Sequence, residues 1–366
     1  MNVADNKSLI FIPDISGFTR FISDTEINHS RHIISELLEV VIDANDTGMT
    51  VAEIEGDAVL FYQENSRLTI EEVLSQVKKM FISFHEHLKL YESRRICECG
   101  ACTTAVNLAI KFVVHFAEFG MIEVKHFRKP YGFEVVRAHR LLKNNINNKE
   151  YLLITDDSLH QPERQLESKS HLNWFKPETA SINYDNFGDT AYHFSLLKDL
   201  HSEVNEPAPV ELFEKSDTPI TGSIFINGDI NMVFEALSNF ELRSKWQKGV
   251  TGMLYDHNKV NRIGTQHTCL IGRNQFKIET VSSGTDDGHI RTIAEKTNNV
   301  PLGMVKELIS YFALEERDEG THVQFEIHYK PQSFPRAFMA KIFRNQFEKS
   351  VPGFLNDLKS FCEKVL

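Results

Sequence analysis

Apolar and polar positions alternate regularly over the first 156 residues, and their spacing predicts both helices and strands. Apolar side chains at helical spacing fall on one face of residues 32–44, 70–91 and 135–142, which are predicted as helices. Short apolar runs bounded by turn residues predict strands at residues 9–12, 50–51, 58–61, 108–116 and 151–155. Strands that alternate with helices in this way indicate an α/β sandwich.

The pattern changes after residue 210, where strands dominate. A strand at residues 222–226 and a helix at 230–239 come first. Five further β-rich runs follow, at residues 265–271, 275–282, 289–295, 309–315 and 321–329. Apolar residues at helical spacing from Phe343 to Phe361 then predict one long helix. This order indicates an antiparallel sheet curved around a C-terminal helix.

These patterns predict an α+β chain of two domains, which a length of 366 residues also favours. The predicted boundaries place one domain at residues 1–156 and the other at 211–366. Residues 157–210 are polar and weakly patterned. Two prolines among acids at residues 203–211 predict a linker at the end of this extension.

A net charge of −11 bears on partners and location. An acidic chain lacks the excess of Lys and Arg that non-specific nucleic-acid binding requires, so we expect no nucleic-acid partner. No apolar stretch reaches the roughly 18 residues of a membrane span. Asp5 stands where a signal peptide would carry basic residues, and we therefore expect a cytoplasmic protein.

The first predicted strand ends on an acid and is followed by a sharp turn, in the sequence FIPDISGFTRF. Asp14 either caps the helix that begins near Phe18 or binds a metal at the mouth of the sheet. Asp57 also stands beside a glycine in a turn, in EIEGDAVLF. Two carboxylates at the ends of adjacent strands can converge on divalent cations, which activate a hydroxyl and stabilise a leaving phosphate.

These stretches resemble the catalytic domain of class III nucleotidyl cyclases. The resemblance rests on DISGFT at residues 14–19, on the Asp after glycine at position 57, and on YGFEVVRAHRL at residues 131–141. It implies a ferredoxin-like sandwich in which Asp14, Asp57 and the Ile15 carbonyl bind Mg²⁺ or Mn²⁺. HRLLKN together with CECGAC resembles, more narrowly, the DUF2652 group of this superfamily.

The same resemblance implies a site for a nucleoside triphosphate. Phe18 and Thr19 would lie at the helix N-terminus that holds the phosphates. Glu53 and Lys129 occupy the base-reading positions, and a glutamate there favours guanine because its carboxylate accepts from N1–H and N2–H₂. Arg140 would be the catalytic residue that neutralises charge on the α-phosphate.

Two positions depart from the cyclase pattern. Val136 stands where the family has the asparagine that orients the ribose, and it offers no hydrogen bond. Lys129 replaces the usual second base-reading residue, and as an alternative to reading the base it would pair with Glu53. Because the family builds its sites across two chains, the resemblance also implies a homodimer.

Three cysteines stand close together in CECGAC. Cys97, Cys99 and Cys102 are candidate ligands of a structural Zn²⁺, with His85 or His87 as the fourth. The alternative is three reduced thiols in a loop. His115, on an apolar strand, is interpreted as a core histidine with its hydrogen bonds satisfied.

The C-terminal half resembles the START-like superfamily of polyketide cyclases, the SRPBCC group. GSIFING, INMVFEALSNFELRSKW at residues 230–246, GTQHTCLIG and the final helix carry this resemblance. It implies a helix-grip fold whose cavity holds an apolar small molecule. The candidate cavity residues are Phe325, Ile327, Tyr329, Phe343 and Phe347, and the alternative is that they simply pack in the core.

Two functions follow from these resemblances. In the first, the chain forms a cyclic nucleotide from a purine nucleoside triphosphate and is regulated by the apolar-ligand domain. In the second, it is a catalytically inactive homologue that binds a small molecule or lipid and acts as a regulator. Asp14, Asp57 and Arg140 favour the enzyme, whereas Val136 and Lys129 favour the binding protein.

Overall fold

A computed structural model describes residues 7–25, 27–156, 172–184, 187–210, 213–286, 289–297, 300, 305–331 and 339–365. The chain divides into two compact units. The first unit comprises Met1–Glu92 and Cys99–Pro207, and the second comprises Ser93–Glu98 and Ala208–Leu366. Six residues in the middle of the first unit's sequence, Ser93–Glu98, are therefore part of the second unit.

The first unit is built on one large sheet and a small hairpin. Its strands in chain order are β1 (Ser8–Ser16), β2 (Thr50–Glu55), β3 (Ala58–Gln63), β4 (Ala109–Ala117), β5 (Gly120–Val124), β6 (Phe127–Tyr131), β7 (Tyr151–Thr155), β8 (Glu178–Tyr184) and β9 (Gly188–Leu196). The large sheet has the order β2-β3-β1-β4-β7-β9-β8, and β5 pairs with β6. Strands β4 and β7 run parallel, whereas the other neighbours run antiparallel.

Helices pack against the central strands of this sheet. They are α1 (Phe18–Ser23), α2 (Ile27–Asp43), α3 (Ile70–Arg94), α4 (Gly100–Thr104) and α5 (Phe133–Arg140). All nine residues of β1 are buried, as expected for a strand covered on both faces. On one face Ile10 and Ile12 pack with Val135 and Ala138 of α5. The carboxylate of Asp14 is consequently held in a buried strand.

The first unit extends well beyond residue 156. The aromatic residues of the segment that follows suggest that part of it packs, and Trp174 is indeed buried. Strands β8 and β9 complete its sheet, whereas the weak sequence pattern there predicts no strands. The reason is local: β8 alternates between exposed and half-buried positions, so its apolar signal is weak. The β5–β6 hairpin, which is mostly exposed, is missing from the sequence prediction for the same reason.

Among its described residues, the second unit has a seven-stranded antiparallel sheet and three helices. Its strands are β10 (Ile220–Ile226), β11 (Val250–Leu254), β12 (Gln266–Ile271), β13 (Asn274–Asp286), β14 (Ile290–Thr297), β15 (Val305–Arg317) and β16 (Gly320–Pro331). They are ordered β10-β16-β15-β14-β13-β12-β11. Its helices are α6 (Ile230–Ser238), α7 (Phe240–Trp246) and α8 (Met339–Val365).

Local sequence explains how the second unit is assembled. Asp229 caps α6, since its side chain accepts hydrogen bonds from the backbone N–H groups of Asn231 and Met232. The long helix α8 lies against β10 at Gly222, where an added Cβ would collide with the Val351 side chain. The α+β class and the antiparallel sheet with a long C-terminal helix, both predicted from the sequence, are confirmed. Within the described residues, no helix has the length and apolar character needed to cross a membrane.

Candidate functional site

Two carboxylates meet at one end of the first unit's sheet. Asp14 lies in β1 opposite Ala58 of β3, and the Ile15 backbone N–H donates to the Asp57 carbonyl over 2.9 Å. Gly56 adopts a φ of 66° and closes the turn between β2 and β3, which places Asp57 beside the end of β1. The structure therefore brings Asp14, Ile15 and Asp57 together.

The pKa values of Asp14 and Asp57 are both raised above those of ordinary exposed acids. Burial raises the pKa of the Asp14 carboxyl, although Lys111 opposes this shift with its Nζ 3.2 Å from Asp14 Oδ1. Burial also raises the pKa of Asp57, and the negative charge of Asp14 raises it further. The two carboxylates thus repel each other in a site from which water is partly excluded.

Asp14 does not cap α1. The residue before that helix is Gly17, whose φ of 91° is left-handed, and no side chain accepts a hydrogen bond from the helix start. The capping alternative is therefore wrong. Phe18 and Thr19 are the first two residues of α1, which is only six residues long.

An apolar groove lies next to α1. Its volume is about 730 Å³, and Phe18, Ile34, Leu38 and Ile54 are among the residues that line it. These side chains come from α1, α2 and β2, the same elements that surround the turn containing Gly56.

Glu53 and Lys129, the two candidate base-reading residues, form an ion pair. Lys129 Nζ on β6 lies 2.8 Å from Glu53 Oε2 on β2. Burial alone would raise the pKa of Glu53, but hydrogen bonds from Lys129 and from Glu55 lower it overall. His139 Nδ1 lies 3.2 Å from Glu55 Oε2. The carboxylate of Glu53 is therefore already engaged by a cation.

Helix α5 carries the last two positions of the cyclase resemblance. Val136 is 48% exposed and contributes no polar atom. Arg140 is the last residue of α5 and is exposed to solvent. Burial raises the pKa of Tyr184 to about 12, whereas the charge of Arg140 acts in the opposite direction. Arg140 therefore lies near Tyr184 at the end of α5.

A histidine that the sequence analysis missed contacts the cysteine cluster. His29 Nδ1 in the first turn of α2 lies 3.2 Å from Cys99 Sγ and 3.6 Å from Cys102 Sγ. The residues expected in that role contact other groups. His85 Nε2 lies 2.9 Å from Glu150 Oε1, and His87 Nε2 lies 2.8 Å from Glu36 Oε2. Nothing in the local pattern around His29 indicates the contact, because 70 residues separate it from Cys99.

The candidate cavity residues of the second unit lie in its hydrophobic core. Phe325, Ile327 and Phe343 are buried, and Tyr329 and Phe347 pack against them. The rings of Phe343 and Phe347 stack with centroids 4.3 Å apart, and Tyr329 lies 5.0 Å from Phe343. These contacts agree with the packing alternative for these side chains.

The second unit also buries a charged pair that the sequence analysis did not predict. The guanidinium of Arg243 donates to both carboxylate oxygens of Glu295, over 2.5 and 2.6 Å, and both side chains are buried. His267 lies nearby and packs against Phe240, with ring centroids 4.2 Å apart and the ring planes tilted by 35°. Burial lowers the pKa of His267 to about 4, so its imidazole is neutral at physiological pH.

Two segments of the chain match known families. Residues 34–151 match the family described as "Protein of unknown function (DUF2652)". Residues 218–363 match "Polyketide cyclase / dehydrase and lipid transport". An uncharacterized protein of Mycobacterium tuberculosis, Rv2561/Rv2562, is 36% identical over 125 residues. The match covers 34% of this chain and 57% of that relative.

Solved structures with weaker likeness include cyclases and an uncharacterised protein. The guanylyl cyclase Cya2 shares 13% identity at a TM-score of 0.37, over 52% of this chain and 90% of its own. The adenylyl cyclase CyaB from P. aeruginosa is 15% identical at a TM-score of 0.34, and the match covers 51% of this chain and 93% of CyaB. Hypothetical protein jhp0584 from Helicobacter pylori is 16% identical at a TM-score of 0.34, and the match covers 40% of this chain and 89% of jhp0584. Likeness at this level carries no argument about activity. The chain therefore joins a segment that matches the DUF2652 family to a segment that matches the family described as "Polyketide cyclase / dehydrase and lipid transport".

Proposed function

We propose that the first unit binds a purine nucleoside triphosphate together with Mg²⁺ or Mn²⁺ at Asp14 and Asp57. The observation that supports this most directly is the pair of converging carboxylates with raised pKa values. A divalent cation between them would relieve their repulsion and the cost of their burial. Oxygen ligands of this kind are those that Mg²⁺ prefers.

Lys111 bears on how strongly a metal binds. Its Nζ is 3.2 Å from Asp14 Oδ1, so it partly neutralises the carboxylate that the metal would use. Asp14 and Asp57 would hold the metal, and the Lys111 ammonium group would compete with it for the Asp14 carboxylate.

The residues around the acids suggest what the site would do with a bound nucleotide. The metal would polarise the phosphates and lower the pKa of the attacking hydroxyl. The Ile15 carbonyl would add a further oxygen ligand, and the hydrogen bond from the Ile15 N–H to the Asp57 carbonyl holds the two segments together. Arg140 would offset negative charge on the α-phosphate, and Phe18 and Thr19 would lie beside the triphosphate. The product would be a cyclic nucleotide and pyrophosphate.

A second candidate function is nucleotide binding without turnover. It is favoured by the ion pair between Glu53 and Lys129, which occupies the base-reading carboxylate. It is favoured also by Val136, because loss of a group that orients the ribose costs transition-state stabilisation. In this case the chain would act as a nucleotide-responsive regulator.

For the second unit we propose binding of an apolar small molecule or lipid. The match of residues 218–363 to a family described with lipid transport supports this proposal. Native mass spectrometry of the intact protein, before and after extraction with organic solvent, tests it. A removable adduct of lipid mass is expected, and a protein that neither carries nor takes up fatty acids in a titration would contradict the proposal.

Isothermal titration calorimetry tests the nucleotide site. The intact protein is titrated with non-hydrolysable GTP and ATP analogues, with and without Mn²⁺, as wild type and as Asp57→Ala. We expect metal-dependent binding that weakens at least tenfold in the variant. Light scattering on the same samples shows whether the chain is a homodimer, as a cyclase-type site requires.

The matched control is Asp46→Ala, which removes an exposed acid that pairs with Lys79 and lies outside the β2–β3 turn. This variant should bind as wild type does. If wild type, Asp57→Ala and Asp46→Ala are all dimers and bind the nucleotide analogues equally, whether weakly or not at all, Asp14 and Asp57 are structural residues. Binding without pyrophosphate release, across all four nucleotides, would select the second candidate function.

A further inference from the structure

A second group of metal-ligating side chains lies in the first unit, away from the two acids. It consists of His29 at the start of α2 and of Cys99 and Cys102 around α4. The His29 Nδ1 to Sγ distances are 3.2 and 3.6 Å. In a tetrahedral zinc site, bond lengths of 2.0–2.3 Å place N and S ligands about 3.5 Å apart. Both nitrogen–sulfur distances are thus close to the spacing of zinc ligands.

The elements that carry these residues hold them in place. Cys99 precedes α4 in an extended conformation, with φ −65° and ψ 160°, and its carbonyl accepts from the backbone N–H and the hydroxyl of Thr103. Cys102 lies inside α4 and is 1% exposed. The geometry is therefore fixed by two helices.

Chain connectivity supplies a fourth candidate ligand. Cys97 is two residues before Cys99, and two residues span at most about 7 Å. This short separation makes the Cys97 thiol the candidate for the fourth ligand position. All five cysteines of the sequence are thiols in the structure, with no disulfide among them. A thiolate set with one imidazole is typical of structural zinc sites in reduced surroundings.

We propose that His29, Cys99 and Cys102 bind one structural Zn²⁺ that fastens α2 to α4. Soft thiolate ligands favour zinc over Mg²⁺ or Ca²⁺. This site is distinct from the proposed site at Asp14 and Asp57, which offers only oxygen ligands. The metal would act on folding, because ligands that are far apart in sequence are joined by it.

Metal analysis of the untagged, full-length protein tests the proposal. Protein from zinc-supplemented culture is dialysed and measured by inductively coupled plasma mass spectrometry. We expect about one zinc per chain in wild type, and at least a fivefold loss in His29→Ala, Cys99→Ser and Cys102→Ser. His32→Ala, on the same helix, and Cys362→Ala, in α8, are the controls and should retain the metal.

A spectroscopic measurement covers variants that fail to fold. Wild-type protein, stripped of metal and reduced, is titrated with Co²⁺. Intense visible bands of a tetrahedral thiolate complex, bleached by added Zn²⁺, are expected. Wild type that is metal-free after supplementation and gives no such bands overturns the proposal. Full zinc retention in Cys97→Ser would exclude that residue as the fourth ligand, whereas loss of zinc supports it.

Discussion

Lys129 and Glu53 form an ion pair, and in the proposed nucleotide site the strength of this pair would set how well Glu53 reads the base. Removing the lysine should leave the Glu53 carboxylate available to accept from a guanine edge. Because exposed ion pairs are worth little, the gain should be modest. We expect Lys129→Met to shift the ratio of GTP-analogue to ATP-analogue affinity about fivefold towards guanine, measured by calorimetry with Mn²⁺.

The neighbouring residue provides the control for that prediction. Arg128, on the same strand, donates to both oxygens of Glu64 over 2.7 and 3.0 Å. Arg128→Met removes a positive charge of similar exposure but leaves Glu53 and Lys129 paired. An equal shift in both variants would mean that net charge alone decides the ratio.

Single residues differ in how far sequence could predict them. Asp14 and Asp57 are recognisable because each stands in a short motif, and the strand pairing then brings the motifs together. His115 is confirmed as a core histidine, with Thr155 and Glu134 each 2.8 Å from one of its ring nitrogens. His29 could not be predicted, since its partner lies 70 residues away and only the fold joins them.

At the scale of elements, the contact between α8 and β10 requires the absence of a side chain. An added Cβ at Gly222 would meet Val351 and, at 3.1 Å, Leu355. Both lie inside the core, so neither can move freely. We expect Gly222→Ala to lower the free energy of unfolding of the second unit by about 1–3 kcal/mol in urea denaturation.

Gly353 in α8 offers the matched control. It is exposed, and nothing lies within 4 Å of an added Cβ. Alanine is the better helix former, so Gly353→Ala should be neutral or stabilise by up to about 1 kcal/mol. Destabilisation by both variants would point away from the packing against β10 as the cause.

The elements that sequence predicted well are those with strong apolar periodicity. Strand β7 spans the predicted residues, and α3 runs only three residues beyond its predicted end. The exposed hairpin β5–β6 and the strands β8 and β9 carry a weak periodic signal and depend on their partners for stability. Periodicity reports burial of one face, so elements at an edge of the sheet or outside it are less visible.

On the scale of the whole molecule, His267 makes stability of the second unit depend on pH. The pKa of His267 is lowered by burial to about 4, from an ordinary value of 6.5, while Glu295 acts against this shift and Arg243 with it. The unfolded chain takes up a proton as pH falls below 6.5, but the folded unit does not until about pH 4. The contribution of His267 to the free energy of unfolding is thus fully present above pH 6.5 and is lost as pH falls towards 4.

The expected loss is about 2 kcal/mol between pH 7.5 and pH 5. Trp246 reports on the second unit, and a Trp174→Phe background removes the other tryptophan of the chain. Urea unfolding at the two pH values, followed by Trp246 fluorescence, measures the change. In His267→Leu the contribution of this residue should vanish, and a pH dependence equal to that of the parent would assign the effect elsewhere.

Because Ser93–Glu98 belong to the second unit, the two units cannot be separated by dividing the chain at one position. Ile96 is part of the second unit's core, and its carbonyl accepts from the buried guanidinium of Arg291 over 2.9 Å. A fragment that begins at Ala208 would lose both contacts and leave Arg291 over Phe234 without that carbonyl. No single cleavage point yields an intact second half, so a gene truncated between the two family segments would encode a damaged domain.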